Sequence, residues 1–154
     1  MARTALVTGS AGFIGYFTSK ALLKQGWNVV GLDAMTDYYD VELKNRRHEM
    51  LSKFSNFTAV TAQLETPNLL WDLFEKHKFD AVIHLAAQAG VRYSIDAPRS
   101  YVESNLVGTF ELLEAARAFP PAHMLLASTS SVYGANTQMP YTENDKVDTQ
   151  MSFY

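Results

Sequence analysis

The stretch Thr8-Gly9-Ser10-Ala11-Gly12-Phe13-Ile14-Gly15 decides the fold, because it follows an apolar run and opens a helical pattern. Its glycines therefore stand at a turn from a strand into a helix. Glycine suits such a turn because it adopts positive φ, and because a missing Cβ lets a diphosphate reach the backbone N–H groups and the helix N-terminus. The last glycine lets the helix lie close to the strand. The spacing is G-x-x-G-x-x-G, which taken alone also fits an ordinary turn.

A second apolar run, at residues 28–32, predicts a buried strand that ends at Asp33. A dinucleotide site places a carboxylate at this point to accept hydrogen bonds from the adenosine ribose hydroxyls. The same carboxylate repels a 2′-phosphate, which favours NAD over NADP as the cofactor. The alternative is that Asp33 only begins a turn, as aspartate often does. The order of strand, glycine loop, helix, strand and acid favours the dinucleotide site.

The composition is that of one globular domain. Apolar residues make up 47% of the 154 residues and charged residues 19%, which excludes an intrinsically disordered chain. The net charge is −3, and the basic cluster at residues 44–47 is interpreted as a solvated helix face, so we expect no nucleic-acid partner.

Several kinds of site and location are also not expected. The chain has no cysteine, which excludes disulfides and thiolate metal sites, and its histidines lack ligand spacing, so we expect no metal. The apolar start is too short for a signal peptide, and no segment approaches the ~20 apolar residues of a membrane helix. We therefore expect a cytoplasmic protein with no membrane partner.

Hydrophobic patterning predicts strands that alternate with helices. Strands are expected at residues 4–8, 28–33, 57–61, 81–85 and 124–127, and helices at residues 12–25, 40–53, 98–119 and around 69–74, with Asp40 as an N-cap. The first helix carries its apolar stripe on Phe13, Phe17, Ala21 and Leu22. The last is expected to bury Val102, Leu106, Phe110, Leu113 and Ala116. This alternation indicates an α/β fold with a Rossmann-like, doubly wound parallel sheet in three α/β/α layers.

In such a sheet the ligand lies over the C-terminal ends of the strands. The glycine loop, Asp33, residues 85–87 and residues 128–131 are the segments expected to converge there. The sequence therefore predicts a single site built from loops at one edge of the sheet.

Five parts of the chain resemble a known family: TGSAGFIG at 8–15, HLAAQAGVRYS at 84–94, SNLVGT at 104–109, STSSVYG at 128–134 and Tyr154. They resemble the extended short-chain dehydrogenase/reductase family of nucleotide-sugar epimerases and dehydratases, above all its UDP-glucuronate 4-epimerases. The resemblance covers the whole chain. It implies an NAD-dependent enzyme with a UDP-sugar substrate, and a homodimer that pairs through the helix ending near Phe119.

The resemblance also implies a cofactor role for particular residues. The glycine loop would hold the pyrophosphate and Asp33 the adenosine ribose, while Asn105 would lie near the cofactor. The acid with which the family meets the adenine amino group falls at Gln63, whose amide oxygen can still accept that hydrogen bond. The full set of predicted cofactor-binding residues is Gly9, Gly12, Phe13, Ile14, Gly15, Asp33, Gln63, Leu64, Leu85, Ala86, Ala87, Gln88, Asn105 and Ser128.

Thr129 and Tyr154 are the catalytic residues that the resemblance implies. In the family a tyrosine takes the proton from the sugar 4-hydroxyl as hydride leaves C4 for the nicotinamide, and a hydroxyl residue hydrogen-bonds the same oxygen. Because the unperturbed pKa of tyrosine is about 10, this base needs nearby positive charge, which the family supplies with a lysine one helical turn further on. Arg92 and Ser130 are predicted to contact the substrate.

The expected lysine would lie beyond Tyr154. We therefore expect residues 1–154 to be an incomplete NAD-binding domain, truncated before the substrate domain and inactive by itself.

Ser131 separates the possible activities. Dehydratases of the family resemble STDEVYG at this strand end and decarboxylating relatives STSEVYG, so that Ser131 stands where their glutamate would be. Without the acid, the expected reaction is oxidation at C4, rotation of the 4-keto sugar and reduction from the opposite face. Two alternatives stay open: a dehydratase or other NAD-dependent sugar-nucleotide oxidoreductase, and a dinucleotide-binding fragment without catalysis.

Overall fold

Five parallel strands form one sheet in the order β3-β2-β1-β4-β5 in the computed structural model, which describes residues 2–154. The strands are β1 (Thr4–Thr8), β2 (Asn28–Asp33), β3 (Phe57–Thr61), β4 (Ala81–His84) and β5 (His123–Leu126). The predicted strands are confirmed, although β4 and β5 end one residue earlier than expected. The order runs outward in both directions from β1 and β4, which is the Rossmann-like arrangement predicted.

The helices lie between the strands along the chain. They are α1 (Phe13–Lys24), α2 (Val41–Leu51), α3 (Leu69–His77), α4 (Tyr93–Asp96), α5 (Pro98–Tyr101) and α6 (Gly108–Ala118), with a π-helical segment at Val102–Val107 and a 3₁₀ turn at Ser130–Tyr133. Asp40 caps α2 as predicted, because its side chain accepts hydrogen bonds from the backbone N–H groups of Glu42 and Leu43. Within residues 2–154, no helix has the length and apolarity that a bilayer crossing requires.

Two apolar clusters lie on opposite faces of the sheet, which confirms the three layers. Leu6 belongs to the cluster that includes residues of α3 and α6, and its neighbour Val7 belongs to the cluster that includes residues of α1 and α2. Successive side chains of a strand point to opposite faces, so β1 contributes to both cores. Residues 5–8 are fully buried, which places β1 at the centre of the molecule.

The prediction of which residues of α1 face the sheet is wrong. Phe13 and Phe17 are 66% and 55% exposed, Ala21 is exposed as well, and Leu22 is only partly buried. The buried face is instead Gly15, Tyr16, Ser19 and Leu23. Gly15 sets this orientation, because a Cβ at that position would meet the backbone of Gly9, and residues four and eight positions further on then share its face. A close backbone contact, not the apolar stripe, decides which side of the helix faces the sheet.

The predicted helix at residues 98–119 is a series of three segments, and most of its predicted stripe is solvent-exposed. Val102, Leu106, Phe110 and Leu113 are all exposed, and only Ala116 is buried as expected. The buried residues of α6 are Gly108, Leu112, Ala115 and Ala116. The reason is again a glycine, since a Cβ on Gly108 would lie 2.8 Å from Leu64 Cβ and the helix turns this side towards the sheet.

Candidate dinucleotide site

A cleft of about 320 Å³ opens at the C-terminal edge of the sheet. It lies where the strand order reverses, at β1 and β4, which is where parallel α/β sheets bind ligands. Its walls come from the glycine loop, the end of β2, the turn after β3 and the loop after β4. The predicted residues that line it are Gly9, Gly12, Asp33, Gln63, Leu64, Leu85, Ala86, Ala87 and Gln88.

The glycine loop presents bare backbone to this cleft. Gly9 has φ +71°, and a Cβ there would lie 2.9 Å from the backbone nitrogen of Ala86. Its own N–H donates to the Leu32 carbonyl at 2.7 Å, which fixes the loop on β2. Any side chain at Gly9 would therefore push the loops after β1 and β4 apart.

The N-terminus of α1 follows directly and suits an anion. Gly12 is its N-cap and has no side chain to satisfy the first N–H groups of the helix, which lack intrahelical acceptors. Phe13 and Ile14 have exposed side chains and do not line the cleft, so only their N–H groups can serve a ligand there. Unpaired N–H groups at the positive end of a helix dipole are a ready site for a pyrophosphate. Gly15 contributes close packing to this arrangement.

Asp33 faces the cleft from the end of β2. Its side chain is 8% exposed, and each carboxylate oxygen accepts one backbone N–H, from Ala11 at 3.0 Å and from Met35 at 2.9 Å. Asp33 therefore begins a turn, as the alternative interpretation held, and at the same time lines the cleft. Each oxygen keeps a second lone pair, which can accept a hydrogen bond from a ribose hydroxyl.

Lys44 is a cleft residue that the sequence interpretation missed. The cluster at 44–47 was expected to be a solvated helix face, but Lys44 is 4% exposed and lines the cleft. Its Nζ donates to the Thr36 carbonyl at 2.6 Å and lies 4.3 Å from the centre of the Tyr39 ring. Burial lowers the pKa of Lys44, while the negative charge of Asp33 opposes this shift. Helical spacing from the buried Leu51 was the signal that could have found it.

The loop after β4 is held by a buried hydrogen-bond network on Thr8. The Thr8 hydroxyl oxygen accepts the N–H groups of Leu85 and Ala86, each at 3.1 Å, and lies 2.8 Å from His84 Nδ1. Two donors use both lone pairs of this oxygen, so its O–H must donate to Nδ1. His84 is then neutral with its proton on Nε2, which donates to Thr109 at 3.2 Å. Burial lowers the pKa of His84, which favours the same neutral form.

Asn105 acts on this loop rather than lining the cleft itself. It stands in the π-helical segment, where its Oδ1 accepts the N–H of Gln88 at 2.7 Å and its Nδ2 donates to the carbonyl of the same residue at 3.0 Å. One side chain therefore pairs both backbone groups of Gln88, which does line the cleft. Asn105 therefore fixes the backbone of a residue in the cleft wall.

The remaining predicted residues lie outside the cleft: Arg92, Asn105, Ser128, Thr129, Ser130 and Tyr154. Thr129 follows β5, and its hydroxyl accepts the N–H of Ser131 at 3.3 Å. The Tyr154 ring packs edge-on against the Tyr101 ring, with centroids 6.2 Å apart. Arg92 is exposed at the start of α4. None of these six residues lines the cleft.

Comparisons with known proteins point to one family. Residues 6–154 match the family described as GDP-mannose 4,6 dehydratase. A probable UDP-glucuronate 4-epimerase of Rhizobium meliloti is 52% identical over 149 residues, which cover 97% of this chain and 44% of the relative. The chain therefore spans less than half the length of this relative.

Solved structures show the same similarity. The UDP-glucuronic acid 4-epimerase of Bacillus cereus, in complex with UDP-glucuronic acid and NAD, matches with a TM-score of 0.82 and 35% identity over 91% of this chain and 44% of that one. The UDP-Glc/GlcNAc 4-epimerase of Campylobacter jejuni matches with a TM-score of 0.87 and 26% identity over 99% of this chain and 45% of that one. The chain belongs to the GDP-mannose 4,6 dehydratase family, among the extended short-chain dehydrogenase/reductases that act as nucleotide-sugar epimerases and dehydratases.

Proposed function

We propose that the chain binds NAD in the cleft between the glycine loop, Asp33 and the loop after β4. The observation that carries this proposal is the pairing of a side-chain-free helix N-terminus with a buried carboxylate that keeps free lone pairs. The first group fits a pyrophosphate and the second fits the ribose hydroxyls. Asp33 would face a 2′-phosphate with like charge, so the cofactor is NAD rather than NADP. NAD held there would supply a reversible hydride acceptor.

The protein that carries this chain is, in this proposal, a nucleotide-sugar 4-epimerase that acts on UDP-glucuronate or a related UDP-hexose. The names of the Rhizobium meliloti and Bacillus cereus relatives support the substrate class. Tyr154 takes the proton of the sugar 4-hydroxyl, and Thr129 donates a hydrogen bond to the same oxygen. Arg92 and Ser130 contact the substrate. The 4-keto sugar then rotates in the site, and its reduction from the opposite face inverts the configuration at C4.

Ser131 favours epimerisation over the alternatives. A dehydratase or decarboxylase needs a further acid and base near C5 or C6, and the hydroxyl at position 131 is a far weaker acid and base than a carboxyl group. Within the family, the alternative is that the protein is a dehydratase or another NAD-dependent sugar-nucleotide oxidoreductase. A dinucleotide-binding fragment without catalysis is the alternative outside it.

The proposal also includes a homodimer formed through α6 and the π-helical segment before it. Val102, Leu106, Phe110 and Leu113 recur at helical spacing and are exposed, with Leu106 at 67% and Phe110 at 57%. The stripe that was expected to be core therefore forms an apolar face that a second copy can cover. A cytoplasmic location, expected from the sequence, stays part of this proposal and is tested by cell fractionation.

The test is to incubate the product of the complete reading frame with NAD and UDP-glucuronate and to identify the sugar nucleotide by NMR. The expected result is the galacturonate isomer with no net NADH, and loss of that product in Tyr154→Phe. Accumulation of NADH, release of carbon dioxide or a keto-sugar product would favour the second NAD-dependent activity. NAD binding without any conversion of UDP-sugars would favour the non-catalytic alternative.

A further inference from the structure

We infer that His48 is a positioning residue for the dinucleotide, because it fixes the glycine loop through the hydroxyl of Ser10 without lining the cleft itself. The inference rests on the proposed binding of NAD. His48 lies on α2, the helix that also brings Lys44 to the cleft. Its neighbour Arg47 holds the same loop at Ala11, so one helix contacts two successive residues of the loop.

The backbone N–H groups of the glycine loop are already used within the protein. Gly9 and Ser10 donate to the Leu32 carbonyl, Ala11 donates to Asp33, and Gly12 donates to the Gly9 carbonyl. The donors left for a phosphate are those of the first turn of α1, which begins directly after Gly12. A shift of the loop moves these donors with it, so the contacts that fix the loop also fix the phosphate site.

The Ser10 hydroxyl is enclosed, so its hydrogen-bond partner must come from the protein. Ser10 is fully buried, and its Oγ lies 2.8 Å from His48 Nε2. Gly31 of β2 leaves the space that the hydroxyl occupies, since a Cβ on Gly31 would lie 2.8 Å from Oγ. A buried hydroxyl that loses its hydrogen bond is unfavourable, and the loop must then move until the hydroxyl finds another partner.

The His48 ring is itself held in place. It is 7% exposed and packs edge-on against the Phe57 ring of β3, with centroids 5.7 Å apart. Burial lowers the pKa of His48, while the negative charge of Asp33 opposes this shift. The ring is therefore neutral at about pH 8, where its Nε2 can either accept a hydrogen bond from the Ser10 hydroxyl or donate one to it. Both tautomers keep the link to the loop.

Charged groups hold the next residue of the loop from two sides. The Arg47 guanidinium donates to the Ala11 carbonyl at 3.0 Å, and the Asp33 carboxylate accepts the Ala11 N–H at 3.0 Å. Ala11 is thus fixed at its backbone and Ser10 at its side chain, and together they make up the middle of the loop. A site that is fixed before its ligand arrives binds more tightly, because less freedom is lost on binding. His48 therefore contributes to NAD affinity from outside the cleft.

The experiment is a double-mutant cycle on NAD affinity, measured by isothermal titration calorimetry at about pH 8 with the product of the complete reading frame. The variants are Ser10→Ala, His48→Phe, the two together, and His48→Gln, whose amide can replace the ring as hydrogen-bond partner. His77→Phe on α3 is the control, since it makes the same substitution outside the cleft. Circular dichroism checks that each variant is folded, and Ser10→Ala decides the outcome where His48→Phe does not fold.

We expect Ser10→Ala and His48→Phe each to weaken NAD binding by about five- to tenfold. The double variant should be weakened by no more than about tenfold, because both single changes remove the same hydrogen bond. His48→Gln should bind within about threefold of the wild type, because it keeps a polar partner for the hydroxyl. His77→Phe should bind NAD as the wild type does.

A His48→Phe variant that binds NAD as tightly as the wild type overturns the inference, even if it unfolds at a lower urea concentration, because His48 would then act on stability alone. Losses that multiply in the double variant overturn it as well, and so does a His48→Gln variant as weak as His48→Phe. In these cases the wild type still binds NAD, and the proposed site stands. A wild type that does not bind NAD overturns the proposed function, and this inference with it.

Discussion

Substituting Gly15 by alanine tests whether close backbone packing orients α1. On helix propensity alone, alanine in place of a glycine inside a helix stabilises by about 1 kcal/mol. In the structure, however, a Cβ on Gly15 would lie 2.7 Å from the carbonyl carbon of Gly9 and 2.9 Å from Cα of Ser10. Carbon atoms in contact lie about 3.5–4.0 Å apart, so the helix or the loop must move by about 1 Å.

The cost of that movement decides whether Gly15→Ala raises or lowers the free energy of unfolding. Both neighbours are backbone atoms, so rotation of a side chain cannot relieve the overlap. Overpacking of this kind costs about 1–3 kcal/mol, which exceeds the gain from helix propensity. We therefore expect Gly15→Ala to lower the free energy of unfolding by about 1–2 kcal/mol, and to weaken NAD binding by at least about tenfold because the cradle shifts.

Urea denaturation and calorimetric titration with NAD measure the two quantities. Gly26→Ala is the matched control, since Gly26 lies in the turn after α1 with φ +82°, and a Cβ added there would meet no atom within 4 Å. That variant should lose stability through backbone strain and keep its NAD affinity. A Gly15→Ala protein that is more stable than the wild type and binds NAD normally would show that close backbone packing at Gly15 does not orient α1.

Three further predictions concern the core, the pH dependence and the exposed face of α6. Thr8→Val leaves the Ala86 N–H without an acceptor and His84 Nδ1 without its donor, while the Leu85 N–H keeps the Thr8 carbonyl, and should destabilise by about 2–4 kcal/mol in urea. Thr58→Val on exposed β3 should change stability by less than about 0.5 kcal/mol. Burial lowers the pKa values of His48 and His84, so the unfolded chain binds more protons than the folded one below pH about 6.5. The free energy of unfolding should therefore keep its full value above pH about 6.5 and fall as the pH is lowered further. Stability that rises on acidification would contradict this. Phe110→Glu should convert the proposed dimer into a monomer in analytical ultracentrifugation, and an unchanged sedimentation coefficient would exclude this face.

The strands and the site were predictable because they depend on local signals. Runs of apolar residues mark β1 to β5, and the glycine loop and Asp33 mark the ends of the first two strands. The parallel arrangement then brings those ends together without further information. Gly9, Gly12 and Asp33 were accordingly predicted by their position along the chain, and all three line the cleft.

The helix faces were not predictable, because they depend on contacts between distant segments. Gly15 and Gly108 turn α1 and α6 towards the sheet by their lack of a Cβ, and the exposed apolar residues then point outward. Lys44 was missed for a related reason, since its charge suggested solvent while its position on α2 placed it inside the cleft.

In the proposed function, Asp33 and the glycine loop together hold NAD. Calorimetric titration of the protein with NAD and with NADP tests this most directly, with Asp33→Asn as the site variant and Asp37→Asn as the control for loss of one charge on the same loop. We expect the wild type and Asp37→Asn to bind NAD at least about tenfold more tightly than NADP, and Asp33→Asn to lose most of this preference. Equal affinity of the wild type for NAD and NADP, or an Asp33→Asn protein that keeps the full preference, would contradict it.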